Sequence, residues 1–96
     1  MGFLNIFRRR EETNPTIERH KFLLDHGRIT DGRIIDNETD DHGREIVYYL
    51  YTLNGVDFES SEILSIEQMQ DPLQYAPGAK VAVRYDPRNQ GNSMLV

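Results

Sequence analysis

Asn54-Gly55, set between two runs of β-prone residues, constrains this 96-residue chain more than any other feature. Both residues tolerate the positive φ of a type I′ turn, which specifies a two-residue β-hairpin. Counting outward gives the register. Leu53 falls opposite Val56, Tyr51 opposite Phe58 and Tyr49 opposite Ser60 on one face; Thr52 with Asp57 and Leu50 with Glu59 fall on the other. A one-residue slip would exchange the faces, so turn chemistry and alternation agree on one hairpin over residues 44–61, with Tyr51 and Phe58 as its central core pair.

The flanking segments carry weaker but consistent punctuation. Asn14-Pro15 reads as a helix start, because Asn accepts from orphan amides and Pro has the φ of the first helical residue. The helix is expected over residues 15–26, with Gly27 closing it in the left-handed conformation. Ile17, Lys21 and Leu24 form one stripe with His20 and Leu23 beside it, so the helix needs an apolar surface to dock on. The period then becomes strand-like over residues 28–36, with Thr30, Gly32 and Ile34 facing one way and Ile29, Arg33 and Ile35 the other. Residues 37–43 are polar and acidic, and read as a loop. Ser65 with Gln68 is a capping-box pair for a helical turn near 65–70 that ends before Pro72. After the turn at Ala76-Pro77-Gly78, Val81, Val83 and Tyr85 alternate inward along residues 80–86. Residues 86–89 turn again, and residues 93–96 supply a short fifth strand.

One helix and four to five short strands make a mainly β fold: a small bent antiparallel sheet or partly open barrel with an N-terminal helix. The length suits a single domain over residues 14–96 preceded by a tail over residues 1–13. Without cysteine the chain has no disulfides, so its stability rests on one core, which suits a reducing compartment. No window approaches the ~20 apolar residues of a membrane-spanning helix, and Met1 to Phe7 is too short for the apolar part of a signal peptide. The expected address is cytoplasmic, with the inner face of the membrane as the alternative.

The chain resembles a widespread family of small bacterial β-domains of unknown function, often found beside membrane-spanning helices. The resemblance is carried by Leu23-Leu24 and Gly27, Gly32-Arg33-Ile34, the run from Tyr49 to Gly55, Tyr75 with Pro77-Gly78, and Val81-Ala82-Val83-Arg84-Tyr85-Asp86-Pro87-Arg88-Asn89. Gln90 stands where the family often has a second proline. The resemblance implies a barrel-like fold and brings no catalytic residues.

Charge placement narrows the function. The net charge of −5 argues against a general nucleic-acid binder. Residues 36–71 hold ten acids against Arg44 alone, a solvated surface or a docking site for a basic partner. At the amino terminus Phe3, Leu4, Ile6 and Phe7 precede Arg8, Arg9 and Arg10. Apolar groups beside cations suit weak contact with anionic lipid; the alternative is a disordered tail, or one packed on the domain. In the hairpin, Ile46, Tyr48 and Leu50 point away from the Tyr51 face and leave an apolar stripe. The helix, a protein partner or a second copy of the chain would cover it.

No metal, cofactor or catalytic residue is expected. The acids lack the spacing of a calcium loop, the three histidines lack a ligand motif, and there is no phosphate-cradling loop, nucleophile elbow or cysteine. The sequence therefore points to a non-enzymatic protein-interaction or structural module. The alternatives are a peripheral membrane adaptor anchored by residues 3–10, and a small-ligand-binding or enzymatic barrel.

Overall fold

In the computed structural model, which describes residues 15–96, Asn54 and Gly55 adopt φ of 51° and 80° and reverse the chain between β2 (Glu45–Leu53) and β3 (Val56–Ile63). The register agrees with the count from the turn at every position: Leu53 pairs with Val56, Tyr51 with Phe58 and Tyr49 with Ser60. The Tyr51 and Phe58 rings stack with centroids 5.4 Å apart. Helix α1 (Pro15–His26) precedes β1 (Arg28–Thr39), and β4 (Lys80–Asp86) and β5 (Asn89–Leu95) end the fold.

The five strands form one antiparallel sheet of order β3-β2-β1-β4-β5, rolled into a nearly closed barrel. Its interior holds Ile34 of β1, Val47, Tyr49, Tyr51 and Leu53 of β2, Val83 of β4 and Leu95 of β5. Side chains of β2 and β3 join β5 across the opening between the two edge strands. Tyr49 Oη and Ser93 Oγ share a hydrogen bond of 2.7 Å, the Tyr51 hydroxyl donates to the Gln90 carbonyl, and the Leu95 amide donates to Glu62 Oε1 at 3.1 Å. Burial pushes both tyrosine hydroxyls above their ordinary value, opposed by Ser93. They therefore stay neutral and able to donate at physiological pH.

Two strands are longer than their alternation suggests. In β1 the pairing shifts between Ile34 and Asp36, a β-bulge that leaves Ile35 unopposed and carries the strand on to Thr39. Residues 37–39 are therefore strand rather than loop. β5 begins at Asn89, four residues before the expected start, because the turn after Asp86 is tight: Asp86 pairs with Asn89, and Asp86 Oδ1 accepts from the Arg88 amide at 2.9 Å.

The link from β3 to β4 must pass β2 and β1, and it does so with short helical pieces. The Ser65–Gln68 capping box forms as expected and starts α2 (Ile66–Met69). A 3-10 turn (Pro72–Tyr75) follows and buries Tyr75 in the core beside Leu64. Gly78 N then donates to Ile34 O at 2.8 Å, tying the link to β1.

Helix α1 docks differently from its sequence stripe. Leu23 is fully buried, whereas Ile17 and Leu24 are 64% and 57% exposed. The helix lies mainly against β4 and β5, so it does not cover the β2 stripe as a lid. Gly27 passes straight from helix to strand, its amide bonded to Leu23 O at 2.8 Å. Its φ is not positive; glycine is needed there for space, since an added Cβ would stand 2.5 Å from Leu23 O and 3.2 Å from Tyr85 O.

Backbone atoms on both sides of Gly27 cannot rotate away. Gly27→Ala is expected to destabilise the fold by about 1–3 kcal/mol in urea unfolding. Gly91→Ala, whose Cβ would meet only Phe58 at 3.9 Å, should change stability by less than about 0.5 kcal/mol. Equal effects would contradict the tight junction.

Candidate functional site

The bulge in β1 determines what stands on the outer face of the sheet. Without the extra residue, Asp36 would share the inward direction of Ile34, two positions earlier. With it, Asp36 pairs with Tyr48 and Glu38 with Ile46, so both carboxylates join the outward side chains of β2, and Asn37 faces inward opposite Val47. Bulges re-aim side chains in this way at functional edges.

β3 completes the face. Ser61 pairs with Tyr48 and Glu59 with Leu50, so a row Asp36–Tyr48–Ser61 crosses three strands, beside a row Arg33–Leu50–Glu59. Around Tyr48 a cleft of about 480 Å³ is lined by Ile35, Asp36, Glu38, Glu59, Ser60 and Ser61. Three carboxylates and no Lys or Arg line it among the described residues. Tyr48 is partly desolvated, its hydroxyl approached by the Glu38 carboxylate and its ring near the Asp36 charge; together these raise its pKa. Arg44, the sole cation of the acidic stretch, is held in the β1–β2 loop by Asp40: Arg44 Nε to Oδ2 at 2.6 Å and Arg44 N to Oδ1 at 2.8 Å. The cleft thus offers negative potential around a half-buried aromatic ring, a combination that suits a guanidinium or ammonium group beside an apolar side chain.

Ile46, Tyr48 and Leu50 lie side by side on this face and are half-buried. Arg19 and His20 of α1 meet its edge, lining with Ile46, Tyr48 and Ile63 a second cleft of about 350 Å³ that shares Tyr48 and Ser61 with the first. Phe3, Leu4, Ile6, Phe7, Arg8, Arg9 and Arg10, read as membrane-contact residues, lie outside the described residues. Among the described residues no helix is long and apolar enough to cross a membrane, and no group of three or more His, Asp or Glu is placed to hold a metal.

One cluster escaped the sequence reading. Glu62 pairs with Val47 on the interior side of β3 and is buried, with its Oε1 accepting from Leu95 N and standing 3.6 Å from His20 Nε2. That separation makes the His20 contact electrostatic rather than a hydrogen bond. Burial pushes the Glu62 carboxyl up from its ordinary value, while the Leu95 amide, His20 and Arg19 oppose the shift. The signal was present: the alternation that turns Phe58 and Ser60 inward also turns Glu62 inward.

A family model described as "Domain of unknown function (DUF3592)" matches residues 26–96, which takes in all five strands and leaves nearly all of α1 upstream. No curated protein and no solved structure matches the chain.

The Glu62 carboxyl lies above its ordinary 4.5 in the folded protein. Between those two values the fold keeps a proton that the unfolded chain releases, so this group's contribution to stability falls as pH rises through that window. Glu62→Gln retains an oxygen acceptor for Leu95 N and removes the buried charge. Urea unfolding should find the variant at least as stable as wild type at pH 7, with its advantage shrinking at pH 4. A variant that loses more stability at pH 7 than at pH 4 would contradict this account.

Proposed function

The chain belongs to the family described as Domain of unknown function (DUF3592), and we propose that it acts there as a protein-interaction module. Its docking face is the outer side of β2, centred on Tyr48 and flanked by Ile46 and Leu50. The partner it suits presents a cationic side chain next to an apolar one. The observation that carries this reading is the cleft around Tyr48, where the register gathers Asp36, Glu38 and Glu59 with no lining cation among the described residues.

Physical chemistry supports the pairing. The half-buried stripe supplies apolar area, worth roughly 25 cal/mol per Å² removed from water, and the carboxylates supply selection and steering more than raw affinity. An open face on a small domain fits a weak or transient contact. The reading is non-enzymatic. Glu62, the interior carboxylate with a raised pKa, is committed to the Leu95 amide, and its role is to hold the strand edges together.

Display selection of random linear peptides against the full chain tests the reading. Retained peptides should be enriched in Arg or Lys adjacent to aliphatic or aromatic residues. Their binding should weaken about tenfold or more in Glu38→Lys and Tyr48→Glu variants that keep the wild-type circular dichroism spectrum, and should fall with added salt. Selected peptides that bind wild type and Glu38→Lys equally would overturn the assignment.

A further inference from the structure

Resting on the docking face just proposed, we infer that its partner is a second copy of this chain, and that the outer side of the sheet is a weak, two-fold symmetric dimer interface. The combination this face suits is one the chain itself carries. Arg33 of β1 pairs with Leu50 of β2, which sets a guanidinium beside an apolar side chain on the same face as Tyr48.

Register supplies the charge argument. Arg33 also pairs with Lys80 of β4, so one outward row crosses four strands as Lys80–Arg33–Leu50–Glu59. At strand spacings of about 4.8 Å that row is about 14 Å long, positive at one end and negative at the other. The neighbouring rows place Asp36 beside Tyr48 and Glu38 beside Ile46. Two clefts of opposite character therefore open on this face: the acidic one around Tyr48, and another of about 320 Å³ in which Arg33 and Lys80 stand against the single acid Asp31. Like charges directly opposite one another across strands repel. Among the described residues no ion pair relieves Arg33 and Lys80, or Asp36, Glu38 and Glu59. Each group is what the other lacks.

Symmetry lets two copies supply it. A two-fold interface uses the same patch on both chains, so every contact occurs twice with the roles exchanged. An axis near Leu50 and Tyr48 lays the Arg33–Lys80 end of each copy on the Asp36, Glu38 and Glu59 end of the other, and encloses those two half-buried side chains between them. Helix α1 does not stand in the way: it lies mainly against β4 and β5, and none of its described residues lines either cleft. From Arg33 to Glu38 along β1 the face runs about 16 Å. Together with a width of about 14 Å this is smaller than the roughly 800 Å² per partner of a standard interface. The dimer is therefore reversible and forms as concentration rises.

Sedimentation equilibrium of the full chain, over a concentration series reaching the millimolar range, tests the inference. Wild type is expected to move from the mass of one chain toward that of two. Arg33→Glu/Lys80→Glu leaves the charged ends wholly acidic, and Glu38→Lys/Glu59→Lys leaves them mainly basic. Each variant alone, with its circular dichroism spectrum unchanged, should associate at least about tenfold more weakly than wild type. Mixed in equal amounts the two should associate again, because each offers the charge the other has lost; misfolded variants could not recover in this way. Wild type that remains a single chain throughout, while display-selected cationic peptides bind it, would overturn the inference and leave the docking face standing. A dimer that either variant forms as readily as wild type, or that mixing fails to restore, would also overturn it, since association would then use another surface. A single chain that binds no cationic peptide would remove both readings.

Discussion

The fold depends on closing a five-stranded sheet whose outer strands share no backbone ladder. A barrel normally removes its edges by pairing the first and last strands. Here the strand order ends at β3 and β5, and two side chains of β2 and one of β3 reach across the interior to β5. Tyr49 reaches Ser93, Tyr51 reaches the Gln90 carbonyl, and Glu62 accepts from the Leu95 amide. Each contact satisfies a polar group that would otherwise be buried unpaired, a penalty of about 1–3 kcal/mol apiece. Two tyrosines suit this task because each supplies a large apolar body for the interior and one polar tip for the far wall.

That arrangement separates the two faces of β2. Its odd-numbered residues from Val47 to Leu53 are committed to the interior, while Ile46, Tyr48 and Leu50 are turned outward by the same pleat. The β1 bulge then places Asp36 and Glu38 beside them. The apolar stripe and its acidic rim are therefore products of register, and shifting either strand by one residue would dissolve both. The helix adds a boundary to the face. By docking through Leu23 on the β4–β5 side, α1 leaves Tyr48 half-exposed and brings Arg19 and His20 to the edge.

What was legible in the sequence was local chemistry with a definite geometric demand. Asn54-Gly55 dictated a turn, the turn dictated a register, and the register identified Tyr51 with Phe58 inside and Tyr48 outside. Ser65 with Gln68 and the alternation of Val81, Val83 and Tyr85 were legible for the same reason. The bulge at Ile35 was not, because nothing in Ile34-Ile35-Asp36 announces an extra residue; its effect depends on β2 lying alongside. The polar opening of β5 hid a strand, since Asn89-Gln90-Gly91-Asn92 has poor β-propensity and is held by the pairing of Asn89 with Asp86 and by the Tyr51 hydroxyl on Gln90. Tyr75 gave no periodic signal because it sits on a single 3-10 turn. The helix stripe misled, because among the described residues Leu23, rather than Ile17 or Leu24, is the apolar side chain that α1 buries, beside the close approach at Gly27.

The closure of the sheet by side chains is tested most directly by a double-mutant cycle on the Tyr49–Ser93 hydrogen bond, with urea unfolding of wild type, Tyr49→Phe, Ser93→Ala and the double variant. The account predicts a coupling of about 1 kcal/mol, with the double variant less destabilised than the sum of the single ones. Strict additivity, within the roughly 0.3–0.5 kcal/mol expected for independent sites, would show that the two residues do not join the walls of the barrel.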